Sequence, residues 1–148
     1  MKEISNALFK DQKMHKAEKV YKRLYEFFKG NEAKNNFVKE DAEAEEYKEA
    51  MTQLDGLKKI NISNLAVVNL KKGENYKCIQ FCNEILEEEK DHIKALFLKG
   101  RALVAMTEFK VAIKTFKQLL EAEPDHADAQ RELQKANKLL NQYENKSA

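Results

Sequence analysis

Leu96-Phe-Leu-Lys-Gly100-Arg-Ala-Leu-Val-Ala-Met-Thr-Glu-Phe-Lys-Val-Ala112-Ile-Lys-Thr-Phe116-Lys-Gln-Leu119 repeats, 34 residues on, the pattern that runs from Ile62 to Ile85. The shift sets Ala66 against Gly100, Cys78 against Ala112, Cys82 against Phe116, Ile85 against Leu119 and Lys90 against Pro124. A small residue where two helices cross closely, followed by bulky apolar residues at helical spacing, is the mark of a stacked helix-turn-helix unit. An earlier copy keeps the same internal spacing, with Ser5, Ala17, Tyr21 and Leu24 in the places of Gly100, Ala112, Phe116 and Leu119. Ser5 and Ala66 are 61 residues apart, one period plus 27, so an insertion separates the first copy from the second.

A 34-residue period of this kind resembles the tetratricopeptide repeat (TPR). The expected fold is all-α: a right-handed superhelix of three TPR helix-turn-helix repeats closed by a C-terminal capping helix. Repeat one takes residues 1–30, the insertion about 31–57, repeat two about 58–90, repeat three 91–124 and the capping helix 125–145, all in a single domain. The spacing predicts helices over about Lys2–Gln12, His15–Lys29, Asp41–Lys72, Asn75–Glu89, His92–Met106, Glu108–Glu121 and Asp125–Asn145. Gly30 and Asn31 are expected to end the second, Asn31–Lys39 to be a mobile turn-prone stretch, Asp41 to cap the third and Asp55-Gly56 to interrupt it. The apolar face Ala129, Leu133, Ala136, Leu139 and Leu140 on the last helix covers the end of the core.

Composition narrows the function. The chain has 148 residues, 35% of them charged, 4 Gly and 1 Pro, which suits long solvated helices rather than sheets. The net charge is +2 with Lys and Glu interleaved, so no basic block marks a nucleic-acid surface. No run of 18 apolar residues and no signal-type leader is present, and the expectation is a soluble, cytoplasmic monomer away from membranes. Cys78 and Cys82 share a helix face without disulfide geometry and fall at core positions of the repeat. His15, His92 and His126 stand apart, without metal-ligand spacing, and read as surface or capping residues. No phosphate loop and no nucleophile turn occurs, so neither catalysis, a cofactor nor a metal is expected.

In a stack of helix pairs the first helix of each pair faces the concave side, where a bound segment would lie. Four polar residues fall on such helices: Lys2 and Asn6, one turn apart, then Asn64, then Lys94. Ammonium and amide donors converging from three helices suit the doubled carboxylate of a peptide ending in Asp. The segments Lys2-Glu-Ile-Ser-Asn6-Ala-Leu-Phe9-Lys10, Ser63-Asn64-Leu65-Ala66 and Ile93-Lys94-Ala95-Leu96-Phe97 resemble TPR domains that bind the acidic C-termini of seventy- and ninety-kilodalton heat-shock chaperones. The insertion, the Leu-Ala pair after Asn64, and Lys94-Ala-Leu-Phe with Lys99-Gly100 are most similar to the C-terminal region of FKBP-type immunophilins.

That resemblance implies a carboxylate clamp of two Lys, two Asn and an Arg, carried here by Lys2, Asn6, Asn64 and Lys94. The fifth place departs, because the Arg usual four residues after Lys94 is Leu98. Leu98 is thus expected on the face of Lys94, at the point from which a guanidinium would reach the tail. Asn69 stands where an aromatic or large apolar residue is usual. The resemblance also implies a peptidyl-prolyl isomerase domain ahead of Lys2, with this chain serving as its non-catalytic, chaperone-binding part. The alternative is a TPR scaffold whose altered groove takes a non-chaperone peptide or helix.

Overall fold

The computed structural model describes residues 2–35 and 44–147, with side chains described over 13–30 and 52–146. Six helices account for nearly all of this: α1 (Lys2–Asn35), α2 (Ala44–Lys71), α3 (Asn75–Glu88), α4 (Ile93–Ala105), α5 (Phe109–Ala122) and α6 (Ala127–Ser147). No strand occurs among the described residues. The chain forms two compact units that divide within α2, after Val68. The side chains of Lys2 and Asn6, residues 36–39 and the expected cap Asp41 lie outside the described residues.

In the first unit, α1 runs unbroken through the turn expected near residues 13–14 and through Gly30-Asn31. The first expected break is corrected by backbone conformation and the second by helix propensity. The tight turn of the later copies needs a residue at positive φ, supplied by Gly73 (79°) and Thr107 (62°), and the matching residue here is Gln12. No proline or glycine stands nearby, and helix-forming Lys, Gln and Met carry the helix across. Gly30 costs α1 about 1 kcal/mol of helix propensity, too little to stop it when helix-tolerant residues follow. Asp55-Gly56 likewise leaves α2 continuous. The α2 stretch Ile62, Leu65, Ala66 and Val68 is buried, and the Asn61 side-chain amide donates to the Tyr21 carbonyl of α1 at 3.0 Å. Val20, Phe27, Leu57 and Ile60 remain more than half exposed.

The second unit repeats its own fine structure at the sequence period. Glu74 N–H donates to the Asn69 carbonyl at 2.8 Å and Glu108 N–H to the Leu103 carbonyl at 2.9 Å. His92 N–H donates to the Glu89 carbonyl and His126 N–H to that of Glu123, both at 3.2 Å. Each pair is 34 residues apart. Within the unit α4 packs on α3, α5 and α6, and α5 packs on α6. Leu96, Leu119 and Ala129 form one core cluster, and Leu103, Ala112 and Phe116 another, with half-buried Phe97 packed against both. Ala129 and Ala136 of α6 are fully buried, so the apolar face read from the sequence does cover α5.

Gly100 explains the small residue at the repeat's crossing point. A Cβ built there would lie 2.5 Å from Phe116 Cε1 and Cζ, inside any tolerable contact. Only a hydrogen at this position lets the Phe116 ring lie against the α4 backbone. That close approach fixes how α4 and α5 meet.

Candidate functional site

His92 caps α4: its Nδ1 accepts the Ala95 N–H at 3.1 Å, and the helix starts at Ile93. His126 does the same for Ala129 at 3.0 Å, one period later. The capping role read from the sequence holds for both, whereas His15 sits exposed within α1. From its cap, α4 is buried along two flanks. Leu96, Gly100 and Leu103 turn toward α5, while Ala95, Leu98 and Ala102 make a second buried row. In that row the Cys78 thiol of α3 donates a long hydrogen bond to the Leu98 carbonyl at 4.0 Å.

Leu98, expected to line the groove beside Lys94, is only 6% exposed. The reason is angular. On a helix Leu98 lies about 40° round from Lys94, and the flank that begins there is packed. Arg101, seven residues on, lies about 20° from Lys94 on the other side and stays in solvent. The open strip of α4 therefore carries Lys94 and Arg101 beside half-buried Phe97, and Arg101 is the residue passed over when only the fourth place after Lys94 is considered.

Phe97 organises this strip. Its ring meets Phe116 edge-on at a centroid separation of 6.2 Å and tilts against His126 at 5.5 Å. The Arg101 guanidinium carbon sits 5.9 Å from the centroid of the Phe97 ring, within cation–π range. Among the described residues neither Lys94 nor Arg101 pairs with a carboxylate. Two exposed cations thus flank an aromatic ring held from beneath, an arrangement that suits an anionic extended chain.

The remaining expected site residues lie in the first unit. Asn64 is half-buried on α2, between buried Ser63 and Leu65. Lys2 and Asn6 belong to α1, one turn apart. The two cysteines are free and fully buried, as packing residues should be. A hydrogen bond shared with Cys78, together with burial, pushes the Cys82 thiol far above the usual thiol range, so it stays protonated. No three His, Cys, Asp or Glu side chains among the described residues gather as a metal site, and no described helix is long and apolar enough to cross a membrane.

Residues 93–126 match the family pattern of the tetratricopeptide repeat. Over 133 residues, 90% of its length, the chain is 29% identical to peptidyl-prolyl cis-trans isomerase FKBP4 of Bos taurus, of which the match covers 26%. The chain spans about a quarter or less of the length of the relatives it matches. Among solved structures, the second TPR domain of human RPAP3, in complex with the HSP70 peptide SGPTIEEVD, superposes with a TM-score of 0.60 at 21% identity, covering 92% of this chain and 91% of that one. The first TPR of Spaghetti (RPAP3), bound to the HSP90 peptide SRMEEVD, gives 0.56 at 21% identity, covering 87% and 94%. At these identities the two superpositions establish the fold alone.

Proposed function

We propose that this chain, which carries a tetratricopeptide repeat and has the fold of TPR domains, holds the acidic C-terminal tail of a heat-shock chaperone and adds no chemistry of its own. The observation that carries the reading is Lys94, which stands exposed on α4 without a carboxylate partner among the described residues, at the place where the resemblance puts a clamp lysine. Two proteins of the same fold hold peptides ending in Glu-Glu-Val-Asp. Lys94 would take a terminal carboxylate, with Asn64, Lys2 and Asn6 as the further donors. The likeness to FKBP4 supports placing the chain in an FKBP-type immunophilin, where a peptidyl-prolyl isomerase domain ahead of Lys2 would supply catalysis and the clamp would bring it to a chaperone in the cytoplasm.

The alternative is a scaffold whose groove, altered at Leu98 and Asn69, takes a non-chaperone peptide or helix; both side chains are buried, and no guanidinium stands in the usual place four residues after Lys94. Lys94→Glu tests the proposal, since an exposed side chain can be reversed in charge without disturbing the core. Binding of SRMEEVD, followed by anisotropy of a labelled peptide, is expected to weaken at least tenfold, about 1.4 kcal/mol, with the circular dichroism unchanged. Unaltered affinity would refute the role given to Lys94.

A further inference from the structure

The geometry points to Arg101 as a second anion-binding residue, one that takes an acidic side chain about three positions before the C-terminus of the tail while Lys94 takes the terminus. This rests on the reading above, that the chain receives an acidic tail. Lys94 and Arg101 lie on the same open strip of α4, seven residues apart, which is about 10 Å along the helix axis. An extended peptide advances about 3.4 Å per residue, so three residues span the same distance. A chain that runs along α4 toward Arg101 with its terminal α-carboxylate at Lys94 therefore brings the side-chain carboxylate three residues upstream level with Arg101. SRMEEVD carries a glutamate at that place.

The chemistry of Arg101 fits the task. A guanidinium offers a planar fork that matches a carboxylate with two parallel hydrogen bonds, which an ammonium cannot do. Stacking on Phe97, itself wedged against Phe116 and His126, limits the rotamers the long side chain must give up on binding. No carboxylate among the described residues competes for it. A clamp without an arginine in the usual place thus has a guanidinium one turn farther along the same helix, aimed at a different carboxylate. All of these residues belong to the second unit, so the arrangement stands within one packed body.

The test is a double-mutant cycle between Arg101→Gln and the peptide change SRMEEVD to SRMQEVD, read by anisotropy at low salt. Arg101→Gln is expected to weaken binding of SRMEEVD roughly twofold to fivefold, the range for a solvated charge pair. It should leave binding of SRMQEVD unchanged, because the partner carboxylate is already gone. Undiminished binding of SRMEEVD by the Arg101→Gln protein overturns this inference and leaves the carboxylate-clamp reading standing. An equal loss on both peptides overturns it too, since the contact would not be to that glutamate. Failure of the unaltered protein to bind SRMEEVD at all overturns both.

Discussion

Gly100→Ala should destabilise this protein, although alanine is the better helix former. The substitution lies inside α4, where replacing Gly by Ala ordinarily gains about 1 kcal/mol. Here the new methyl meets Phe116 Cε1 and Cζ at 2.5 Å, and ordinary carbon contacts begin near 3.5 Å, so the ring must retreat by about 1 Å. It has little room. Phe116 is fully buried, clustered with Leu103 and Ala112 and edge-on to Phe97. Overpacking of this kind costs about 1–3 kcal/mol, which outweighs the propensity gain and leaves a net loss of about 1 kcal/mol. Urea unfolding of the full chain, followed by circular dichroism, reads the difference. The decisive arm is the same change in a Phe116→Leu background, where no ring edge meets the methyl and Gly100→Ala should stabilise by up to about 1 kcal/mol. A gain in the unaltered background, or the same sign in both, would refute the close crossing of α4 and α5.

Two further outcomes follow from the same geometry. His92→Ala and His126→Ala each remove a side-chain acceptor from a helix start, and each should cost about 1 kcal/mol in urea unfolding, with His92→Asn recovering much of the loss. Leu98→Arg should fail to strengthen peptide binding and should lower stability by about 2 kcal/mol or more, because it trades a buried leucine for a charge; a stable variant with improved affinity would show that this position faces the groove after all.

Much of the second unit was legible because its constraints are local and recur. The period forces a small residue at Gly100 and large ones at Phe116 and Leu119, and α3 to α6 begin and end within two residues of the expected bounds. The turns at Gly73 and Thr107 sit one period apart for the same reason. The first unit was less legible because its copy lacks the turn chemistry. Periodicity places Ala17, Tyr21 and Leu24 on a helix, but it cannot say that Gln12 lets one helix run through where Gly73 breaks another. For the candidate site, spacing finds Lys94 and gives the angles of its neighbours. It does not reveal which flank of α4 is packed, and that alone separates buried Leu98 from exposed Arg101.

If this chain reads the carboxylate end of an acidic peptide, the terminal charge itself is what it recognises. Calorimetric titration of the full chain with SRMEEVD as free acid and as C-terminal amide tests it most directly, since the two ligands differ only in the terminal charge. The free acid should bind, more weakly as salt is added, and the amide should lose at least tenfold in affinity. Equal affinity for the two, or no binding of the free acid, would contradict it.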